Sequence, residues 1–376
     1  MTGPDSTAID ILIVGAGMAG ASLGAELAGD VRVLLIEMEA HPGYHATGRS
    51  VAFWEESYGG PEVQPLTTAS GPLMETPEVD LSDRSFLKRR GAIHIGRSAS
   101  IGARDRLIAG FADSAVALVT VDAAELQQRI AGLREGWTIG LSEPSCADID
   151  AAGLHQAYLA KLRRAGGHVL TDTRLLSARR VGDGWEVETN AGAFACRVLV
   201  NAAGAWADGI ARACGVAPIG ITPYRRTVVQ LRVDPVPPPD MPVVMALEQD
   251  FYFKPDGAGR IWLSPHDEAP SEPCDAAPEE LAIAEAIDRF QDAVDWHIVA
   301  VERKWAGLRS FAPDRLPVYG FDPLARNFFW FAGQGGFGIQ TAPAAAKLGA
   351  ALLTGNPPHA SVAGIDPAPF DPGRFE

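Results

Sequence analysis

Apolar positions near the start of the chain fall in two short blocks separated by small residues. Ile11-Leu12-Ile13-Val14 is a continuous, β-branched run, the pattern of a strand buried on both faces. Gly15-Ala16-Gly17-Met18-Ala19-Gly20 follows at once, then small and apolar residues at helical spacing to Ala28. A second apolar run, Val31–Ile36, ends at Glu37. The order predicted is strand, glycine turn, helix, strand.

G-x-G-x-x-G at a strand-to-helix turn is a dinucleotide fingerprint, and each glycine has its own reason. Gly15 permits the tight turn, Gly17 lets a pyrophosphate approach bare backbone, and Gly20 lets the helix pack close to the sheet. The helix N-terminus turns free N–H groups toward the phosphates. Glu37 follows Gly15 by 22 residues, where a carboxylate accepts the ribose hydroxyls of an adenosine and repels a 2′-phosphate. FAD and NAD share this half-site, so the fingerprint leaves the choice between them open.

Further along, helices are predicted over Gly153–Ala165 and Pro278–Phe290, and alternating strands over Ala92–Gly96, Trp185–Thr189, Thr227–Val233 and Phe251–Lys254. Proline-rich residues 59–80 and 234–242 read as connections. Val198–Val200 is another buried-strand run, leading into small residues at Asn201–Ala205 and then Trp206. Phe328-Phe329-Trp330-Phe331 is a last one. It opens into Gly333-Gln334-Gly335-Gly336-Phe337-Gly338-Ile339-Gln340-Thr341 and an alanine-rich helix to Leu353. A second strand, glycine loop and helix at the far end of the chain suits a long cofactor better than NAD alone.

Composition narrows the field. A chain of 376 residues is long for one core and implies two or three domains. Hydrophobic residues make up 47% and mean hydropathy is +0.03, which excludes a disordered chain. A net charge of −15 and a pI near 5.0 argue against a nucleic-acid surface. Cys146, Cys196, Cys214 and Cys274 are widely spaced, without CxxC or a histidine cluster, so no metal site and no disulfide framework is expected. The N-terminus has no basic residue before Arg32, and the run Ile11–Ala25 is too short to span a bilayer. These features read as a cytoplasmic protein without a transmembrane segment.

Seven segments carry a family likeness in chain order: HPGYHATGRS (His41–Ser50), DIDAAGLHQAYL (Asp148–Leu159), VLVNAAGAWAD (Val198–Asp208), YRRT (Tyr224–Thr227), DFYFKPD (Asp250–Asp256), WAGLRSF (Trp305–Phe311) and GQGGFGIQT (Gly333–Thr341). In these the chain resembles the FAD-dependent D-amino-acid oxidase and dehydrogenase superfamily, which includes glycine and sarcosine oxidases, and most resembles its bacterial D-arginine dehydrogenases. The resemblance implies an α/β fold of two parts. A Rossmann-like FAD-binding domain of discontinuous segments would use residues 1–86, 146–222 and 307–376. A substrate domain with a mixed, largely antiparallel sheet would use residues 87–145 and 223–306. It also implies noncovalent FAD, since Ser310–Gly320 lacks the cysteine to which sarcosine oxidases attach flavin.

By family position the FAD contacts would be Gly15, Gly17, Met18, Ala19, Gly20, Glu37, Met38, His45, Thr47, Arg49, Ser50, Leu175, Ala203, Gly204, Trp206, Gly307 and Arg309. Gly335, Gly336, Phe337, Gly338, Ile339, Gln340 and Thr341 would complete them at the pyrimidine edge. The implied reaction is hydride transfer from the Cα of a D-amino acid to flavin N5, giving an imino acid that hydrolyses to a 2-oxo acid and ammonia. Arg226 and Arg309 are the candidates to hold the carboxylate, because a planar fork binds it bidentately. Arg225, alternate along a strand, points the other way. Tyr252 would add a hydrogen bond, Tyr58 falls where the dehydrogenases carry a mobile closing tyrosine, and Gln340 completes the catalytic set.

The chain departs from the D-arginine dehydrogenases where the substrate side chain would lie. Gly91 stands at the position of their cation-binding glutamate, Phe53 at that of a histidine and Glu55 at that of a threonine, with Val51 nearby. Either Glu55 takes over the cation, or the substrate is a different amino acid. The same clamp would serve a 2-hydroxy acid or an N-methyl amino acid, and a flavin-binding protein without turnover is the third reading. The electron acceptor, oxygen or quinone-like, stays open.

Overall fold

The computed structural model describes residues 9–375; the leader-free reading of the first residues concerns a segment outside these. Ile9–Val14 and Val33–Ile36 are parallel strands joined through the helix Met18–Leu27, with Ile11 opposite Val33 and Val14 opposite Ile36. Across the sheet the parallel order runs His168–Leu170, Val33–Ile36, Ile9–Val14, Gly192–Asn201, Phe328–Ala332. Val318–Phe321 adds an antiparallel edge, and the hairpin of Leu175–Val181 and Gly184–Thr189 pairs with the first half of Gly192–Asn201.

Both faces of this sheet are covered, which is why its strands read as unbroken apolar runs. Helices Met18–Leu27, Ala151–Arg164 and Ala342–Thr354 pack on one face around Ile13, Leu35, Tyr158, Leu162 and Leu348. Leu12, Leu34, Trp185, Phe328 and Trp330 fill the other, under the short helix Ala207–Ala213. Gly20 is required here: a Cβ would run into the carbonyl of Gly15.

The second sheet has nine strands, built from residues within 92–143 and 222–311. Its spine is a long antiparallel ribbon in which Thr222–Asp234 pairs with His297–Phe311. Strand His297–Phe311 was not legible beforehand, because Glu302, Arg303 and Lys304 interrupt its alternation. It passes unbroken through the division expected at 306/307. A small third sheet pairs Leu87–Arg89 and Phe53–Trp54 with Ala147–Ile149, across the divisions expected at 86/87 and 145/146.

The connection expected over residues 59–80 is instead occupied by a helix, Gln64–Glu75. Pro65 sits in its first turn, where a proline N–H is not needed, and Pro72 is tolerated near its end. Burial of Leu66, Thr67, Ser70 and Met74 outweighs the proline penalty. Its Gly71 lies against the Trp54 ring, which a Cβ would meet at 2.6 Å.

Candidate active site

The C-terminal ends of the parallel strands open into a cavity of about 560 Å³, closed on its far side by the long ribbon. This is where open α/β sheets place ligands. Val14, Ile36 and Ala202 mark the strand ends in its wall, and Arg226, Tyr252 and Arg309 face it from the second sheet.

At one end the glycine turn is bare. Gly15 has φ +102°, and a Cβ there would meet the Ala202 carbonyl oxygen at 2.6 Å. Gly17, Met18 and Ala19 line the cavity, and the Met18 N–H donates to Thr47 Oγ1 at 2.9 Å. Glu37 is buried: one carboxylate oxygen accepts the Ala16 N–H at 2.8 Å and the other the Glu39 N–H at 3.0 Å. Each oxygen keeps a further lone pair for a hydroxyl. Met38, His45, Leu175, Ala203, Gly204 and Trp206 line the same region, and His45 Nε2 lies 2.9 Å from Glu39 Oε1. Arg49 lines the wall, but its guanidinium is committed to the Ala276 and Ala306 carbonyls and to Asp275.

The other end is cationic. Arg226 is 5% exposed; its Nη2 donates to Glu268 at 3.1 Å, while Nε and Nη1 have no partner. Burial, and second the Arg309 charge, pull its guanidinium down to about 10, so it remains charged near neutrality. Register explains the pairing: Arg226 lies opposite Gly307 and Tyr224 opposite Arg309, placing the two arginines diagonally across the ribbon. Arg225 turns away to Glu279 and Asp267, as strand alternation requires. Burial pushes the Tyr252 phenol up, keeping it a neutral donor. Arg309 Nη1 donates to the Tyr58 hydroxyl at 2.6 Å.

The second glycine loop contributes unevenly. Gly335, Gly336, Gly338 and Ile339 line the cavity, as do Ser50, Val51 and Gly307. Phe337 packs instead against Tyr58 and Phe311, and the Thr341 hydroxyl is turned to the Phe337 carbonyl. Gln340 is buried, accepting the Glu55 N–H and donating to the Tyr58 carbonyl and Thr67 Oγ1. It braces a turn and lines a small recess beside the cavity rather than the cavity itself. Gly20 is a packing residue, as its spacing predicted.

Beside the arginines lies a recess of about 20 Å³ walled by Ser50, Val51, Ala52, Phe53, Tyr58, Tyr252, Arg309, Gly336, Ile339 and Gln340. Neither Glu55 nor Gly91 lines it. Glu55 is 1% exposed, with its Oε1 2.9 Å from His94 Nε2, and of the two alternatives the one in which Glu55 takes over the cation is not favoured, since it lines neither cavity nor recess.

His94 and Glu143 were missed. With Glu55 they bring three ligand atoms within 4.8 Å of one another, where no such cluster was expected. Both oxygens of Glu143 are engaged by backbone N–H groups of Glu56 and Ser57, the arrangement of a loop anchor. A histidine inside the apolar strand Ala92–Gly96 was the available signal.

Bare glycine turns at both ends of the chain, a buried acid beside the first and a long cavity joining them fit a flavin dinucleotide. The chain belongs to the FAD dependent oxidoreductase (DAO) family, whose model matches residues 10–352. FAD is its cofactor. It is 26% identical over 359 residues to glycine oxidase of Geobacillus kaustophilus (strain HTA426), covering 92% of each chain. The crystal structure of glycine oxidase from Geobacillus kaustophilus superposes with a TM-score of 0.83 at 23% identity, over 96% of this chain and 98% of that one. L-proline dehydrogenase from P. horikoshii gives 0.85 at 21%, over 98% of each. Among the described residues no helix is long and apolar enough to cross a membrane.

Proposed function

We propose that the protein oxidises a small D-amino acid to an imino acid, which water converts to a 2-oxo acid and ammonia. One observation carries this: the Arg226 Nε and Nη1 are buried and unpartnered beside Arg309, at one end of the cavity. Buried guanidinium N–H groups without an acceptor are costly, and an α-carboxylate reaching the two that Glu268 leaves unpartnered relieves that cost. The names of the relatives, glycine oxidase and L-proline dehydrogenase, support an amino-acid substrate.

Bound FAD, held noncovalently, supplies the acceptor for the hydride leaving Cα. Gly15, Gly17, Ala19, Glu37 and Thr47 would hold its adenosine and pyrophosphate, and Gly335, Gly336, Gly338 and Ile339 its ring edge. Arg226 and Arg309 fix the substrate carboxylate, and Tyr252 and Tyr58 offer it hydroxyl donors. With the carboxylate anchored, the neutral amine's lone pair forms the C=N bond as the Cα–H electron pair departs. No protein base is required once the amine is neutral. The recess, whose wall includes Arg309 and no carboxylate, receives the side chain, which separates this site from the cation-binding D-arginine dehydrogenases. An N-substituted amino acid is the second reading, favoured by the secondary amine in one relative's name.

Anaerobic mixing of the yellow protein with panels of D-, L- and N-methyl amino acids and 2-hydroxy acids tests both. Bleaching of oxidised flavin by small D-amino acids is expected. Bleaching only by hydroxy acids, or by nothing, overturns the reading.

A further inference from the structure

Tyr58 belongs to the first third of the chain, yet its turn is fastened by the second sheet. Glu143, fully buried at the end of strand Ile139–Glu143, accepts the Glu56 N–H at 2.6 Å and the Ser57 N–H at 3.3 Å through its two oxygens. His94 stands on the neighbouring strand, where Ala92 is opposite Glu143, and its ring reaches Glu55. From the other side Gln340 accepts the Glu55 N–H at 3.2 Å and donates a hydrogen bond to the Tyr58 carbonyl at 3.0 Å. The Tyr58 N–H closes the turn on the Glu55 carbonyl. At its tip the Tyr58 hydroxyl meets Arg309.

We propose that Glu143, backed by the Glu55–His94 pair, is a positioning residue that sets where the Tyr58 hydroxyl stands over Arg309. A buried carboxylate with no exit to solvent is an expensive way to fill a core. Satisfying two consecutive N–H groups fixes a turn that no packing contact could hold as narrowly. The effect on substrate rests on the reading in which Arg309 binds the substrate carboxylate; the anchoring of the turn does not.

The test uses the FAD-loaded protein and three variants, Glu143→Ala, Glu143→Gln and Tyr58→Phe. Amide exchange at Glu56 and Ser57 is expected to quicken at least about tenfold in Glu143→Ala, with FAD content unchanged. With the substrate found by flavin bleaching, KM should rise roughly tenfold and kcat change less, with Glu143→Gln falling between. Adding Tyr58→Phe to Glu143→Ala should raise KM little further, since both act through one hydroxyl. Glu143→Gln carries the test alone should the alanine variant fail to fold. Multiplicative KM effects in the double variant, or an unchanged KM, overturn the inference. If no compound bleaches the flavin, the proposed function fails by itself and exchange decides the anchoring: unchanged protection at Glu56 and Ser57 overturns it.

Discussion

Arg309 and Tyr58, 251 positions apart, meet through a 2.6 Å hydrogen bond between Nη1 and the phenolic oxygen. Gly336 makes this possible, because a Cβ there would lie 2.8 Å from Arg309 Nη1 and closer still to the Tyr58 hydroxyl. The phenol accepts from the guanidinium, so its own proton is free for a carboxylate. Arg309 and Arg226 thus present a fork with a hydroxyl beside it. Replacing either arginine with Met should cost about 2–4 kcal/mol of transition-state stabilisation, or roughly one and a half to three decades in kcat/KM, with normal flavin content. Steady-state kinetics on flavin-saturated variants measure this, and unchanged kinetics in either would refute the clamp.

Noncovalent FAD is the second expectation. The segment before the last strand has no cysteine, but Cys274, the exposed one, lines the cavity on the strap that also carries Asp275 and Ala276. Acid precipitation should release all flavin into the supernatant. Flavin that stays with the pellet in wild type and leaves it in Cys274→Ser would assign the link to that residue and sink the expectation.

Stability should record the buried cluster. Burial, and then the Glu55 charge, push the Glu143 carboxyl from 4.5 up to about 7. His94 is also raised: burial opposes this, and the charge and hydrogen bond of Glu55 together with the Glu143 charge outweigh it. Cys146 faces the same carboxylates and keeps its proton, burial pushing its thiol well up. For Glu143 the native state holds a proton that the unfolded chain has lost between pH 4.5 and about 7, so its contribution falls as pH rises through that window. The raised His94 acts with the same sign. Asp148, held down by Lys254 and Arg90 against its burial, acts in the opposite sense at lower pH. The Tm of wild type relative to Glu143→Gln should therefore decline from about pH 5 to about pH 8. Parallel curves would show that Glu143 ionises normally.

The first βαβ unit was legible because local pattern and tertiary burial agree there: Leu12 and Ile13 are apolar and wholly buried. The arginine pair was legible through its motifs, and strand alternation correctly separated Arg226 from Arg225. What could not be read depends on partners distant in sequence. Glu143 looks like any acid at a strand end; sheet pairing brings His94 beside it, and the turn after Phe53–Trp54 brings Glu55 to His94. Gln340 sits in a glycine loop that reads as cofactor-facing, but the helix starting at Ala342 turns its amide into the Tyr58 turn. Helix Gln64–Glu75 was hidden by its prolines, since its stability comes from burial rather than propensity.

The last prediction concerns the substrate side chain. Gly91, with φ +79°, offers no side chain and lines neither cavity nor recess. Glu55 is held against His94, so no compensating acid projects from the loop before Tyr58. The recess is instead walled by Val51, Ala52, Phe53 and Ile339 with the rings of Tyr58 and Tyr252, completed by Ser50, Gln340 and the Arg309 cation, and Phe53 packs on both tyrosines. A guanidinium or ammonium entering it would lose water without meeting a carboxylate, which costs several kcal/mol. A methyl or a short branched chain would instead gain about 0.8 kcal/mol for each buried methylene. Small uncharged D-amino acids should therefore exceed D-arginine and D-lysine in kcat/KM by at least about a hundredfold. Phe53→Ala should enlarge the recess and shift preference toward larger apolar side chains such as leucine and methionine. A cation preference in wild type that Glu55→Gln abolishes would mean that Glu55 turns into the site when substrate binds, and would refute the reading of this wall as one without a carboxylate.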